Sequence, residues 1–130
     1  MRNPDAFARR VFFWAGIYGL IVLLPQYLIE LGVGPPMTAP IQRPEQFYGF
    51  IGVASAWQVA FLVIARDVQR YRLLMLPAIL EKLVFGVPVV LLYLSNRIGT
   101  DVFAFGLVDL ALGALFLLAF RATREAGPGA

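Results

Sequence analysis

The chain has 130 residues, of which 60% are hydrophobic and only 15% are charged; its formal net charge is +3, and it contains neither cysteine nor histidine. Soluble domains carry about 45–50% apolar and about 25% charged residues, so a soluble fold of this size is excluded. The absence of cysteine and histidine excludes thiol–disulfide chemistry, the usual zinc sites, iron–sulfur clusters and haem with a histidine ligand. We therefore expect no cofactor and no metal.

Four apolar stretches follow one another along the chain, over residues of about 11–31, 47–65, 73–94 and 102–120. Each is close to the length of about 20 residues that a helix needs to cross a bilayer. Backbone groups in lipid must form their hydrogen bonds within the segment, so these stretches are predicted to be α-helices. The sequence thus predicts an all-α, polytopic membrane protein, a single four-helix transmembrane bundle over residues 1–130 with a disordered tail at 126–130.

Most of the basic residues are arginines at the ends of these stretches. With four spans, one side of the membrane receives Arg2, Arg9, Arg10, Arg66, Arg70, Arg72, Arg121 and Arg124. The other side receives only Arg43 and Arg97. The positive-inside rule then places both termini in the cytoplasm of a cell whose inner membrane holds the protein. This explains the positive net charge without a nucleic-acid partner. Arginines in the turn between the second and third spans are also candidates for contact with lipid head groups: Arg66, Arg70 and Arg72.

Small residues recur at helical spacing on two of the predicted spans. Gly52, Ala56 and Ala60 lie four residues apart on the second span, and Gly106 and Gly113 lie on the fourth. Such faces allow two helix backbones to approach closely. They are expected to pack within the bundle, and a homodimer contact is the alternative.

Charged residues near the centres of two spans are the most informative feature. Glu81 and Lys82 lie in the third span and Asp109 lies in the fourth, where one ionisable group costs about 2.5–3.5 kcal/mol on insertion scales. We expect Lys82 to pair with Asp109 across the helices. Glu81 points about 100° away from Lys82 on an ideal helix, so it is expected near Gln58 as a neutral, protonated acid.

The aromatic residue beside Gln58 is also unusual, because Trp57 falls near the middle of the second span rather than at its end. Its indole N–H needs a hydrogen-bond acceptor at that depth. Two interpretations of this polar layer remain open. It is either a structural clasp that fixes how the helices pack or a ligand or proton site. The candidate site residues are Glu81, Asp109, Lys82, Gln58 and Trp57.

Several segments resemble known membrane proteins: Pro44–Phe50, Trp57-Gln58, Ala65–Asp67 and Leu76–Leu83. They resemble small bacterial four-span proteins without an assigned activity, and the layout is loosely similar to DoxX-like proteins and to the EXPERA group. The latter includes the emopamil-binding sterol isomerase and the sigma-2 receptor, which bind hydrophobic amines or sterols between their helices through buried acids. The resemblance would match Glu81 and Asp109 to those acids. The isomerase also relies on histidine, so no catalytic residue is carried over.

Three functions are compatible with these features. The favoured one is non-enzymatic: an accessory subunit of a larger membrane complex, or of a homo-oligomer, or a binder of a lipid-like, lipophilic small molecule. The second is a small proton- or cation-coupled transporter. The third is a lipid- or sterol-modifying enzyme that uses Glu81 and Asp109.

Overall fold

The computed structural model of the protein describes residues 3–34 and 41–125, and within them it is built from helices and short connections alone. Four helices are long and apolar enough to cross a membrane. They are α1 (Pro4–Glu30), α2 (Pro44–Arg66), α3 (Met75–Leu94, preceded by the 3-10 turn Arg72–Leu74) and α4 (Thr100–Glu125). The protein is therefore an all-α, multi-pass membrane bundle, which confirms the predicted fold class. The predicted disordered tail at 126–130 lies outside the described residues.

The helix ends follow local sequence signals. Asn3 caps α1, since its Oδ1 accepts a hydrogen bond from the Ala6 amide at 3.1 Å and Pro4 follows at the first helical position. After α1, Gly32 adopts a φ of +89°, a left-handed conformation that glycine tolerates best. After α3, Asn96 adopts a φ of 59°, because asparagine also accepts this region.

The helices pack in an uneven arrangement. α1 packs along α2, α3 packs along α4, and α1 also contacts α4, whereas α2 and α3 scarcely touch each other. The bundle has two halves along its axis. We call the half with the start of α1 and the turn between α2 and α3 the terminal half, and the half with the connections after α1 and α3 the distal half.

An aromatic core fills the terminal half. The ring of Phe12 stacks on Phe116 with centroids 4.2 Å apart, and both rings meet Phe61 edge-on at 6.1 and 4.9 Å. All three side chains are completely buried, as is Met75 beside them. Because these residues come from all four helices, this cluster is the point at which the whole bundle is joined.

The turn between α2 and α3 is tied to the end of α4. Arg72 donates from Nη2 to the carbonyl of Phe120 at 2.6 Å and from Nε to Thr123 Oγ1 at 3.1 Å. Its guanidinium also lies 3.7 Å from the centroid of the Phe120 ring. Gln69 connects the same turn to the start of α1, because its Nε2 donates to Asp5 Oδ1 at 2.8 Å.

The small residues predicted on the second span do not make the close contact between α1 and α2. Gly52 and Ala56 are exposed on the outside of α2, so the prediction that this face packs within the bundle is wrong, whereas the homodimer contact stays a prediction. Instead, α1 approaches α2 at Gly16, where an added Cβ would lie 2.8 Å from the carbonyl oxygen of Gln58. On α4 the prediction is confirmed: Gly106 and Gly113 are buried against α3.

Candidate functional site

A cavity of about 490 Å³ lies in the distal half, between all four helices. Most of its wall is apolar, and its polar groups gather on α2, α3 and α4, with two more on α1. Its lining residues are Tyr18, Gly19, Val22, Leu23, Gln26, Phe50, Ala54, Gln58, Glu81, Lys82, Phe85, Asp101, Val102, Phe105 and Asp109. Four of the five predicted site residues therefore meet in one place.

The ammonium of Lys82 lies at the centre of this polar group. Its Nζ is 3.4 Å from Asp109 Oδ1 and 3.6 Å from Glu81 Oε2, and only 3% of the lysine side chain is exposed. The expected pairing of Lys82 with Asp109 is present. The expectation that Glu81 would point away from Lys82 is wrong, because the flexible four-carbon stem of lysine brings the ammonium between both carboxylates.

Two buried acceptors beside the lysine lack a hydrogen-bond donor among the described residues. Gln58 is 2% exposed, and its amide Nε2 donates to the carbonyl of Ala54 at 2.9 Å, but its Oε1 accepts nothing. Glu81 Oε2 is the other such atom, because its ion pair with the Lys82 ammonium, at 3.6 Å, is too long for a hydrogen bond. A buried acceptor without a donor costs about 1–3 kcal/mol, so both atoms are available to a donor group in the cavity.

A glycine on α1 makes room for the Gln58 amide. Any Cβ at Gly19 would overlap the Gln58 side chain. The absence of a side chain at this position therefore lets Gln58 lie between α1 and α2 at the cavity wall. The amide is held in place by its bond to Ala54, which leaves Oε1 as the free acceptor.

The charges of the cluster do not cancel when all its groups are ionised. Two carboxylates, Glu81 and Asp109, face the single ammonium of Lys82. A surplus negative charge in a low-dielectric site is costly, so it calls for a proton, a cation or several hydrogen-bond donors. Among the described residues, no group of three or more acidic side chains could hold a metal ion.

Trp57 lies on a neighbouring surface and does not line the cavity. It borders a groove between α2 and α3, and it packs near Phe61 with centroids 6.5 Å apart. Residues that line both the groove and the cavity are Phe50, Ala54, Glu81 and Phe85. The rings of Phe50 and Phe85 stack at 6.2 Å between them. The cavity is therefore separated from the lipid by side chains alone, because α2 and α3 do not close against each other.

Two further polar residues of the cavity were missed by the sequence prediction. Tyr18 and Gln26 line it from α1. They lie eight residues apart with Val22 halfway between them, which places all three on one face of a helix. That spacing was the available signal. Asp101 lies at the start of α4, where it is exposed, and it also lines the cavity.

The three candidate head-group arginines differ in their surroundings. Arg66 and Arg70 are exposed, and Arg70 lies 5.5 Å from the ring centroid of Tyr71. Arg72 is half-buried and engaged with α4. Contact with lipid head groups stays a prediction for all three.

No family model, curated protein or solved structure matches the chain. The resemblance to DoxX-like and EXPERA proteins therefore stays a prediction, and the function has to be argued from the cavity itself.

Proposed function

We propose that the protein is a non-enzymatic binder of a lipid-like molecule, whose polar group lies against Gln58, Glu81, Lys82 and Asp109. The single observation that carries this proposal is the cavity of about 490 Å³ between the four helices, with mostly apolar walls and one polar cluster. Cavities of roughly 300–1,000 Å³ with a few convergent polar groups are typical of small-molecule sites. The unpartnered Oε1 of Gln58 supplies a fixed acceptor for a donor on the ligand.

The groove between α2 and α3 supports a ligand that dissolves in the membrane. It runs beside Trp57 and Leu80, faces away from the bundle and shares part of its wall with the cavity. A molecule in the bilayer therefore has a route to the polar cluster through this shared wall, where the rings of Phe50 and Phe85 stack. A purely water-soluble ligand would gain nothing from such a route.

The experiment compares two substitutions two residues apart on α2. Ala54 lines the cavity, whereas Ala56 is exposed on the outer face. Ala54→Phe should fill the cavity, and Ala56→Phe should leave it unchanged. Protein purified in a mild detergent is analysed by native mass spectrometry for co-purified small molecules. We expect Ala54→Phe to reduce the retained adduct at least tenfold relative to the wild type. Equal retention by the two variants would contradict the proposal.

A second candidate function, a small proton- or cation-coupled transporter, is favoured by the surplus carboxylate of the Glu81–Lys82–Asp109 cluster. Glu81→Gln separates the two functions. Neutralising Glu81 should be nearly silent in thermal stability, because Asp109 remains as a partner for Lys82. Proton-linked uptake into vesicles that is abolished by Glu81→Gln would favour the transporter. Retained ligand without any uptake would favour the binder.

We also propose that the protein lies in a bacterial inner membrane with both termini in the cytoplasm. The arginines at the terminal half support this orientation, since Arg9, Arg10, Arg66 and Arg121 are exposed there. A C-terminal reporter that is active only in the periplasm should stay silent. A strong periplasmic signal would place the arginine-rich end outside and overturn the orientation.

A further inference from the structure

A second pocket lies on the outside of the bundle, between α1 and α2 in the terminal half. Arg9 and Arg10 of α1 and Arg66 of α2 border it. Its wall also includes Phe13 and Trp14, which are 42% and 63% exposed, so the aromatic pair faces outward. The pocket thus combines three guanidinium groups with two rings on the membrane-facing surface.

These three guanidinium groups have no counter-charge among the side chains that the structure describes. Within the part of the chain that the structure describes, the side chains of Arg9, Arg10 and Arg66 form no ion pair and no hydrogen bond, and no carboxylate lines the pocket. Two acids at this end whose side chains the structure describes are engaged elsewhere: Asp5 accepts from Gln69, and Asp67 accepts from the Arg70 amide. Three like charges around one pocket repel one another unless an anion lies between them.

The arrangement also has a defined depth in the membrane. Phe13 and Trp14 follow Arg9 and Arg10 by about one helical turn, or about 5.4 Å. Their rings contact each other edge-on with centroids 5.1 Å apart. Aromatic residues concentrate where head groups meet acyl chains, so the arginines one turn nearer the helix start lie at the level of lipid phosphates.

We propose that this pocket binds one anionic phospholipid, with its phosphate between Arg9, Arg10 and Arg66 and its acyl chains along Phe13 and Trp14. Guanidinium groups match phosphate in charge and in planar, two-pronged hydrogen-bond geometry. The sequence grouped Arg66 with Arg70 and Arg72. The fold instead brings it to Arg9 and Arg10, from a different helix.

Orientation by the positive-inside rule does not account for this convergence. That rule depends on how many arginines lie on one side, not on whether they share a pocket. Arg121 satisfies it at the same end of the bundle from α4, and it does not border the pocket. A bound anion explains both the shared pocket and the outward-facing rings.

The test replaces the three pocket arginines together: Arg9→Gln, Arg10→Gln and Arg66→Gln. A matched control removes the same charge elsewhere, with Arg43→Gln, Arg97→Gln and Arg121→Gln, none of which borders the pocket. Phosphatidylglycerol retention on the purified full chain is measured by native mass spectrometry, with phosphatidylcholine and inorganic phosphate as comparison probes. In detergent no extended anionic surface is present, so only a guanidinium beside the bound phosphate contributes, and each such group contributes roughly a fivefold change in affinity. The pocket variant should therefore bind phosphatidylglycerol on the order of a hundredfold more weakly, and the control should resemble the wild type.

Three results would overturn the proposal. The first is equal loss of phosphatidylglycerol in the pocket variant and the control, and the second is wild-type retention by the pocket variant. The third is displacement of the lipid by inorganic phosphate at similar concentration, which would indicate a site for the free ion. If the triple variant does not fold, Arg66→Gln alone should still lower retention about fivefold, with Arg121→Gln as its control. The cavity variant Ala54→Phe should retain phosphatidylglycerol, which separates this site from the proposed cavity ligand.

Discussion

The two halves of the bundle are built from the same four helices, yet one is filled and the other is hollow. In the terminal half, Phe12, Phe61 and Phe116 occupy the centre with no exposed surface. At the corresponding place in the distal half, Gly19 faces Gln58, and a cavity of about 490 Å³ remains. Large rings from different helices interlock, whereas a glycine and an amide leave room. The aromatic core therefore stabilises the bundle, whereas the distal half keeps a cavity between the same helices.

The largest effect is expected where the two halves meet. The ammonium of Lys82 lies in the cavity wall and also 5.2 Å from the ring centroid of Phe61. Lys82→Met leaves two buried carboxylates without their cation, so we expect a loss of about 3–5 kcal/mol in the free energy of unfolding. Chemical denaturation in detergent measures it.

Compensating variants sharpen the same test. Adding Asp109→Leu to Lys82→Met should recover part of the loss, because one uncompensated charge leaves with its partner. Adding Glu81→Gln to this double variant should recover more of the lost stability, since Lys82 also pairs with Glu81 at 3.6 Å and no uncompensated carboxylate of the cluster then remains. A double variant no more stable than Lys82→Met would show that the Lys82–Asp109 pair does not hold the helices together.

A matched pair of phenylalanines on α4 compares the halves directly. Phe116 is completely buried in the aromatic core, whereas Phe105 lines the cavity and is 47% exposed. Phe116→Ala should lower the free energy of unfolding by about 3 kcal/mol, because it leaves a void between stacked rings. Phe105→Ala should cost less than about 1 kcal/mol, because nearly half of the residue is exposed and it borders a cavity. Similar losses at both positions would mean that the halves are equally well packed.

The smallest effects concern the glycines. Gly16→Ala should cost about 1–3 kcal/mol, because its Cβ would lie 2.8 Å from a backbone oxygen that cannot move aside. Gly52→Ala should be neutral or stabilising, since its Cβ would meet only Tyr27 Oη at 3.4 Å. Ala56→Leu should leave the melting temperature unchanged, because Ala56 is exposed. A lower melting temperature for Ala56→Leu would restore the predicted face on α2 as a contact, either within the bundle or with a second copy.

Depth in the membrane was predictable from the sequence, and rotation about the helix axis was not. Gln58, Glu81, Lys82 and Asp109 gather because each lies near the middle of its apolar stretch, which hydropathy alone reveals. Trp57 lies at the same depth, but a rotation of about 100° from Gln58 places it in the groove outside the cavity. The direction in which each face points depends on the neighbouring helices, which single-sequence periodicity does not identify.

The glycines at helix contacts also could not be identified from the sequence, because a contact depends on the facing helix. Gly52 and Gly16 look alike in sequence, and only the position of Gln58 on the facing helix makes Gly16 the point of close contact. The reach of Lys82 to Glu81 was missed for a related reason. Ideal helical geometry describes where a Cβ points, whereas a long side chain can bend back to its neighbour.

Because the groove between α2 and α3 faces the lipid, occupancy of the cavity depends on the concentration of ligand in the membrane. A ligand that arrives through it comes from a two-dimensional solution, so the relevant concentration is its mole fraction in lipid and not its molarity in water. Mass action then predicts that empty micelles compete for the ligand, and the apparent dissociation constant rises with the amount of detergent. Titrations repeated at several detergent concentrations would show that dependence as curves shifted to higher ligand concentration, whereas a ligand that does not partition into micelles would produce a single curve.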